Sequence, residues 1–287
     1  MKDEFSRFHP LVNFIYYLVV LGLTMFQMQL GLVLISIFSA LAYYFCLKGR
    51  EGVKYLLIVS FVFFVSSFIN PLFSHRGGTL LFYLFTGNPV TLESIIYGIV
   101  SSAIICSMLI WFSTFYQIMG IERFFGAVGK FVPHVALLVS MILRFIPKYM
   151  KHYKEVSSVN EDEGEKFIRK IKRGSKVFSI TTTWALENSI DTADSMKARG
   201  FGVRKRTNYS NYKIEKRDIG VMIWIIVFAG IILWASCKDM VFTYYYPYIA
   251  YKGNIFVYIL YALLCLIPVF INIRELSLIH ISEPTRR

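Results

Sequence analysis

Along the chain, six stretches carry no charged side chain for long enough to cross a hydrocarbon core of roughly 30 Å. They run over residues 11–28, 30–47, 55–69, 94–119, 219–237 and 255–273. The third is short and borrows Val53 or Pro71 as its flank. A seventh apolar stretch, 131–146, is interrupted by Pro133, His134 and Arg144. It reads either as partly embedded in the bilayer or as the root of the polar region that follows. The pattern predicts an all-α polytopic membrane protein with about six transmembrane helices. Its expected divisions are an N-terminal membrane region, 1–146, with four spans and the partly embedded segment. A polar region, 147–218, and a C-terminal membrane region, 219–276, with two spans follow.

The distribution of charge sets the expected orientation. The turn after the second span holds Lys48, Arg50 and Lys54, and the segment after the fourth holds Arg123 and Lys130. Residues 147–218 carry 17 Lys or Arg against 10 Asp or Glu. By contrast, 70–91 contain one basic residue, Arg76, and the loop after Cys237 contains Lys238 and Lys252. The excess of basic residues on cytoplasmic loops then places both termini and 147–218 in the cytoplasm. Six spans agree with two ends on one side.

Composition points the same way. Hydrophobic residues make up 56% of the 287, and Phe and Tyr together number 45, more than one soluble core of this size accommodates. The formal charge of +13 would suggest nucleic acid on a soluble chain. Here the bases follow the loops, so the expected partner is the lipid bilayer and not a nucleic acid. Cys46, Cys106, Cys237 and Cys265 are widely separated and give neither a disulfide framework nor a zinc spacing. Met1 to Pro10 mixes acids with bases, so no cleavable signal peptide is expected.

The six spans contain no Asp, Glu, Lys, Arg or His in their interiors. Ion-coupled pumps and voltage sensors place ionisable groups at membrane depth. Paired, Gly/Pro-broken helices are not evident either. The membrane part therefore reads as a scaffold or as a surface for another membrane protein. Ser66, Ser67, Ser101 and Ser102 read as helix-packing small residues, with a hydroxyl-lined internal site as the alternative.

Two amphipathic helices are expected in the polar region. In 165–178, Phe167, Ile168, Ile171, Val177 and Phe178 fall at helical spacing among Lys166, Arg169, Lys170, Lys172, Arg173 and Lys176, a pattern suited to an anionic membrane surface. In the second, Thr183 caps 184–199, Leu186, Ile190 and Ala193 recur on one face, and Gly200 stands at the position of a left-handed cap. Arg199 in the last turn suits the helix dipole. With Ala198 and Gly200 too small to obstruct it, its guanidinium is also free to bond a partner's carboxylate or carbonyls.

The run Trp184-Ala-Leu-Glu-Asn-Ser-Ile-Asp-Thr-Ala-Asp-Ser-Met-Lys-Ala-Arg-Gly-Phe-Gly, followed by Arg204-Lys-Arg-Thr, resembles the signature of the energy-coupling factor (ECF) transporter T component, the CbiQ/EcfT-like transmembrane family. Phe8-His-Pro, Arg76-Gly-Gly, Thr86-Gly-Asn-Pro-Val-Thr-Leu-Glu and Leu143-Arg-Phe-Ile-Pro-Lys-Tyr occur in matching order. The resemblance extends over nearly the whole chain. It implies a multi-pass protein of the prokaryotic plasma membrane, with no catalytic residue and no cofactor. Such a subunit is expected to couple two cytoplasmic ABC ATPase subunits to a membrane S component that captures a vitamin or metal ion. Under this resemblance 147–218 is the coupling-helix region. Met196, Lys197, Ala198, Arg199 and Gly200 make the ATPase-coupling end, with Glu187, Asp191 and Asp194 supporting the helix. The family's first Arg-containing motif should fall near 156–164, where this sequence has Val-Ser-Ser-Val-Asn-Glu-Asp-Glu-Gly and no Arg. Arg169 and Arg173 stand nearby.

The chain lacks a complete Walker A spacing: Gly126-Ala-Val-Gly-Lys and Arg173-Gly-Ser-Lys are fragments only. An enzyme would need an acid/base or metal cluster. Asp191 and Asp194 instead read as solvated charges, with Asp194 pairing Lys197 at i+3. His9, His75, His134, His152 and His280 are too scattered to bind a metal. A stand-alone carrier or channel is the alternative function. Residues 277–287 lack the preceding membrane character and read as a non-native tail.

Overall fold

The computed structural model describes residues 4–74, 77–83, 89–129, 132–159, 167–203, 214–238 and 240–273. They divide into two compact units, one drawn from residues up to Gly120 and from Lys213 onward, the other from Ile121–Tyr212. The expected tail 277–287 and Arg204–Thr207 lie outside the described residues, as does Arg76.

The first unit is a helical bundle. It contains α1 (Pro10–Phe26), α2 (Leu30–Lys48), α3 (Val53–Phe73), α4 (Leu92–Ile118), α8 (Lys216–Cys237), α9 (Ile255–Cys265) and α10 (Ile267–Ile273). Among the described residues α2, α3, α4 and α8 are each long and apolar enough to cross a membrane. The pair α9 and α10, bent by 53°, makes a fifth crossing, and α1 is a shorter apolar helix of 17 residues. The third span is longer than its charge-free core, because α3 starts at Val53 and continues through Pro71.

Contacts at the two ends of the bundle fix how the helices run. At one end the Glu4 amide donates to Asn272 Oδ1 at 3.0 Å, joining the residues before α1 to the end of α10. The Arg217 guanidinium, at the start of α8, lies 4.9 Å from the Phe8 ring centroid. Lys48 Nζ, closing α2, reaches Ser113 Oγ near the end of α4. At the opposite end Gln27 donates to Ser236 Oγ at 3.1 Å, and Gln29 to the Lys252 carbonyl at 2.9 Å. Thus α1, with its flanking residues, runs from one end of α8 to the other and covers the same distance. Among the described residues the helices of this unit alternate between the two ends, and the bases Lys48 and Arg217 share one end.

Two antiparallel hairpins, β1 (Leu80–Tyr83) with β2 (Pro89–Thr91) and β3 (Phe242–Tyr244) with β4 (Ala250–Lys252), cover the other end. They are not evident in the hydropathy pattern. The Gly78 amide donates to the Pro247 carbonyl at 2.9 Å and joins the two loops. Thr91 caps α4 by accepting from the Ser94 amide, while the Glu93 carboxylate accepts from the Thr79 amide. The Pro-Val-Thr-Leu-Glu run therefore has a structural role, as a helix start tied back to the preceding strand. His9 does the same at α1, its Nδ1 accepting from the Leu11 amide with Pro10 in the first helical turn.

The bundle core is aromatic. Phe5, Tyr16, Tyr17, Tyr43 and Trp111 are almost fully buried, and Tyr16 meets Phe5, Tyr17 and Trp111 edge to face. A chain of neutral polar groups crosses this core. Trp111 Nε1 of α4 donates to Ser36 Oγ of α2 at 3.1 Å. Ser36 Oγ lies 2.7 Å from Ser107 Oγ and 3.1 Å from Thr24 Oγ1 of α1. Thr24 in turn lies 2.8 Å from the Tyr261 hydroxyl of α9. Four helices are thereby joined without a charged group. The serines singled out in the sequence are not in this chain: Ser102 bonds only back to the Ile99 carbonyl of its own helix. Gly98 of α4 packs closely on α3, since a Cβ added there would lie 3.0 Å from the backbone carbonyl of residue 67.

The second unit comprises α5 (Ile121–Val128), α6 (Pro133–Val159) and α7 (Phe167–Ala198). The stretch 131–146 is not a separate element: from Pro133 it is the first half of α6, which passes through Pro147 without ending. The compact unit therefore begins at Ile121, upstream of the 146/147 division read from hydropathy. The two amphipathic helices expected over 165–178 and 184–199 are one continuous helix. Thr183 is not a cap; its hydroxyl donates to the Ser179 carbonyl one turn back, as Thr181 and Thr182 do to Val177 and Phe178. With no breaker between Phe178 and Trp184, three threonines in succession satisfy their hydroxyls inside the helix.

Candidate functional site

The site is built where α6 and α7 pack. The α7 residues turned toward α6 recur at spacings of three and four: Val177 is buried, and Thr181, Trp184, Asn188, Thr192 and Met196 are half-buried. The apolar residues that recur on one face in the sequence, Leu186, Ile190 and Ala193, lie on the other side, with Leu186 and Ile190 61% and 63% exposed. Polar and small side chains fill this contact around Trp184. The His152 ring stacks on Trp184 at 4.0 Å and 22°, and Tyr149 meets it edge-on at 5.7 Å. Lys148 Nζ lies 5.2 Å from the same ring centroid and donates to Asn188 Oδ1 at 2.6 Å.

The end of α7 is a complete Schellman turn. Gly200 has φ +80°, its amide donates to the Lys197 carbonyl at 2.9 Å, and the Phe201 amide donates to the Met196 carbonyl at 3.0 Å. The left-handed cap read from the sequence is therefore present at Gly200. The turn reverses the chain immediately after Arg199, which stands exposed at the tip between Ala198 and Gly200. Lys197 Nζ lies 3.8 Å from Asp194 Oδ1, the i+3 pair expected from spacing, with both side chains largely exposed. An exposed pair of this length contributes little to stability. Glu187 and Asp191 are also exposed on α7.

Beside this turn α6 and α7 enclose a groove of about 1120 Å³. Leu137, Met141 and Phe145 of α6 and Met196 and Phe201 of the α7 end form its apolar walls. His134, Arg144 and Lys148 line it from α6, and Asp191 and Arg199 from α7 and its turn. Three permanent cations thus face one carboxylate. Among the described residues, neither Arg144 nor Arg199 has an ion-pairing partner. The contribution of α6 was not legible in the sequence, since Arg144 and Arg199 are joined only by the helix pairing. Of the region expected to hold the first Arg motif, Val156–Val159 closes α6, and 160–164 lie outside the described residues.

No family model matches the chain. It is similar to the energy-coupling factor transporter transmembrane protein EcfT of Leuconostoc gelidum subsp. gasicomitatum, with 29% identity over 117 residues, covering 37% of this chain and 44% of the relative. A protein of the same description from Lactobacillus helveticus is 26% identical over 108 residues, covering 36% of this chain and 39% of the relative. The matched stretch spans less than half the length of each of these curated relatives. Two relatives of one description, together with the charge-free helices, support an EcfT-like family for this predominantly helical, multi-pass membrane protein.

Proposed function

We propose that the protein is the membrane coupling subunit of an ECF-type importer. In this reading α6 and α7 are the coupling helices, and Met196–Gly200 is the end that engages an ABC ATPase. The observation that carries the reading is the Schellman turn, which holds Arg199 exposed at the tip of a 32-residue helix between two residues with almost no side chain. A guanidinium so held is ready to form two parallel hydrogen bonds to a carboxylate or to backbone carbonyls. The end of α6 is the counterpart contact for a second ATPase.

The energy of transport then comes from the ATPases, and the captured solute, a vitamin or a metal ion, is held by a separate membrane S component. Closure of the ATPase pair moves the two helix ends, and the α6–α7 pair, locked by Trp184, transmits the displacement as a lever. The orientation that goes with this reading puts both termini and the end of the bundle bearing Lys48 and Arg217 in the cytoplasm, as the basic loops favour.

The test is co-purification of the detergent-solubilised chain with its ATPase pair, comparing wild type with Arg199→Glu. Wild type should retain the ATPases and the variant should lose them, with its helical circular dichroism unchanged. A well-folded wild type that retains no ATPase would overturn the coupling reading.

A further inference from the structure

The groove beside α7 carries more charge on its α6 side than an ATPase contact at Arg199 requires. Arg144 and Lys148 stand one turn apart on α6 and both line it, with Leu137, Met141 and Phe145 beside them. The Lys148 ammonium is held by neutral acceptors, the Asn188 amide oxygen at 2.6 Å and the face of Trp184, so its position is fixed while its charge is left uncompensated. Among the described residues Asp191 is the one carboxylate in the lining, which it shares with Arg199 and the two α6 cations.

The chemistry that fits two cations over an apolar floor is a phosphate esterified to something apolar. Two further observations say which. The unit starts at Ile121, three residues beyond the end of the membrane-crossing helix α4, so the chain enters it from the bilayer surface. A continuous stripe on α6, Val135, Leu138, Ile142, Ile146 and Met150, is also exposed, at the spacing of a helix that rests one face in an interface. Basic clusters at this level read the anionic headgroups of the membrane.

We propose that this groove binds the phosphate of an anionic membrane phospholipid, with Arg144 and Lys148 as its cationic ligands and Leu137, Met141 and Phe145 against its glycerol and upper acyl chains. The site rests on the membrane reading of the chain and not on the coupling reading, since it does not use Arg199. A bound lipid would brace α6 against α7 and hold the lever at the depth of the headgroups.

The experiment is native mass spectrometry of the full chain released from micelles containing phosphatidylglycerol or phosphatidylcholine. Wild type should retain phosphatidylglycerol in preference to phosphatidylcholine. Arg144→Gln with Lys148→Gln should lower that retention by about thirtyfold, from the loss of two cations near an anionic surface. Arg144→Lys with Lys148→Arg should restore it. Equal retention by wild type and the Gln double variant would overturn the site. Displacement of the lipid by millimolar inorganic phosphate would also overturn it, in favour of a free-phosphate site. A double variant that keeps its lipid but loses the ATPases would assign the groove to an acidic partner side chain instead. Lys197→Glu, at the coupling end but outside the groove lining, should leave lipid retention unchanged.

Discussion

The sharpest energetic prediction concerns Ser36. Its side chain is fully buried, and three groups from two neighbouring helices converge on its hydroxyl. The protons can be assigned without remainder. Trp111 Nε1–H and the Ser107 hydroxyl donate to the two lone pairs of Ser36, and Ser36 donates to Thr24. Thr24 accepts from Ser36 and Tyr261 and donates to the Val20 carbonyl at 2.7 Å. Ser36→Ala removes three of these bonds at once and leaves the indole N–H of Trp111 unpaired in an apolar core. Interhelical hydrogen bonds in membranes contribute about 0.6 kcal/mol each, so three amount to about 2 kcal/mol, roughly a thirtyfold change in the unfolding equilibrium. Ser107→Ala removes one and should cost about 0.6 kcal/mol. Ser102→Ala removes only a bond within its own helix and serves as the reference.

The assay is equilibrium unfolding of the chain in mixed dodecyl maltoside and sodium dodecyl sulfate micelles, followed by tryptophan fluorescence and helical circular dichroism. The expected order of destabilisation is Ser36→Ala, then Ser107→Ala, then Ser102→Ala. If Ser36→Ala falls within error of Ser102→Ala, the hydroxyl chain does not hold the bundle together.

Two further outcomes follow from the geometry. Gly200→Ala places a Cβ in a left-handed conformation at a cost of about 1 kcal/mol, although the surrounding space is open. Amide exchange at Arg199–Phe201 should speed up about fivefold, while Gly200→Asn, which tolerates this conformation, stays close to wild type; equal protection in all three proteins would show that the cap does not depend on glycine. In a cysteine-free background, Tyr251→Cys and Glu51→Cys stand at opposite ends of the bundle. A membrane-impermeant maleimide applied to intact cells should label the first and reach the second only after permeabilisation, and labelling of both from one side would contradict the alternating crossings.

Much of this architecture is legible in the sequence, and the rest is hidden for identifiable reasons. The spans show because absence of charge over a fixed length is a one-dimensional property. The cap at Gly200 shows because a Schellman turn is made from six consecutive residues. Thr183 misleads because a threonine before an apolar run has the same appearance whether its hydroxyl caps a helix or bonds one turn back inside it. Leu186 and Ile190 mislead in another way. Helical spacing identifies a stripe, but Trp184, two residues earlier, decides which stripe meets α6. The hydroxyl chain was out of reach because the sequence holds many serines and threonines, and only packing selects Thr24, Ser36 and Ser107 over Ser66, Ser101 and Ser102. The groove cations stayed hidden because Arg144 and Arg199 come together only through the pairing of two helices.

The contrast between α3 and the rest of the bundle bears on how a membrane partner would be met. Helices α1, α2, α4 and α9 are tied by the Tyr261–Thr24–Ser36–Ser107 chain. The only buried residue of α3 is Val59, and the helix approaches α4 closely where Gly98 meets the Ser67 carbonyl. Phe61, Phe64 and Phe68 are 68%, 58% and 71% exposed, as are Leu57 and Ile58 to similar degrees. In a membrane this surface meets acyl chains or another membrane protein, and aromatic rings at spacings of three and four present a continuous ridge to either. Helix α3 turns Ser66, Ser67 and Asn70 toward the bundle and these apolar residues outward. The hydroxyl chain therefore fixes the interior without α3, which packs closely on α4 and leaves its apolar ridge facing outward.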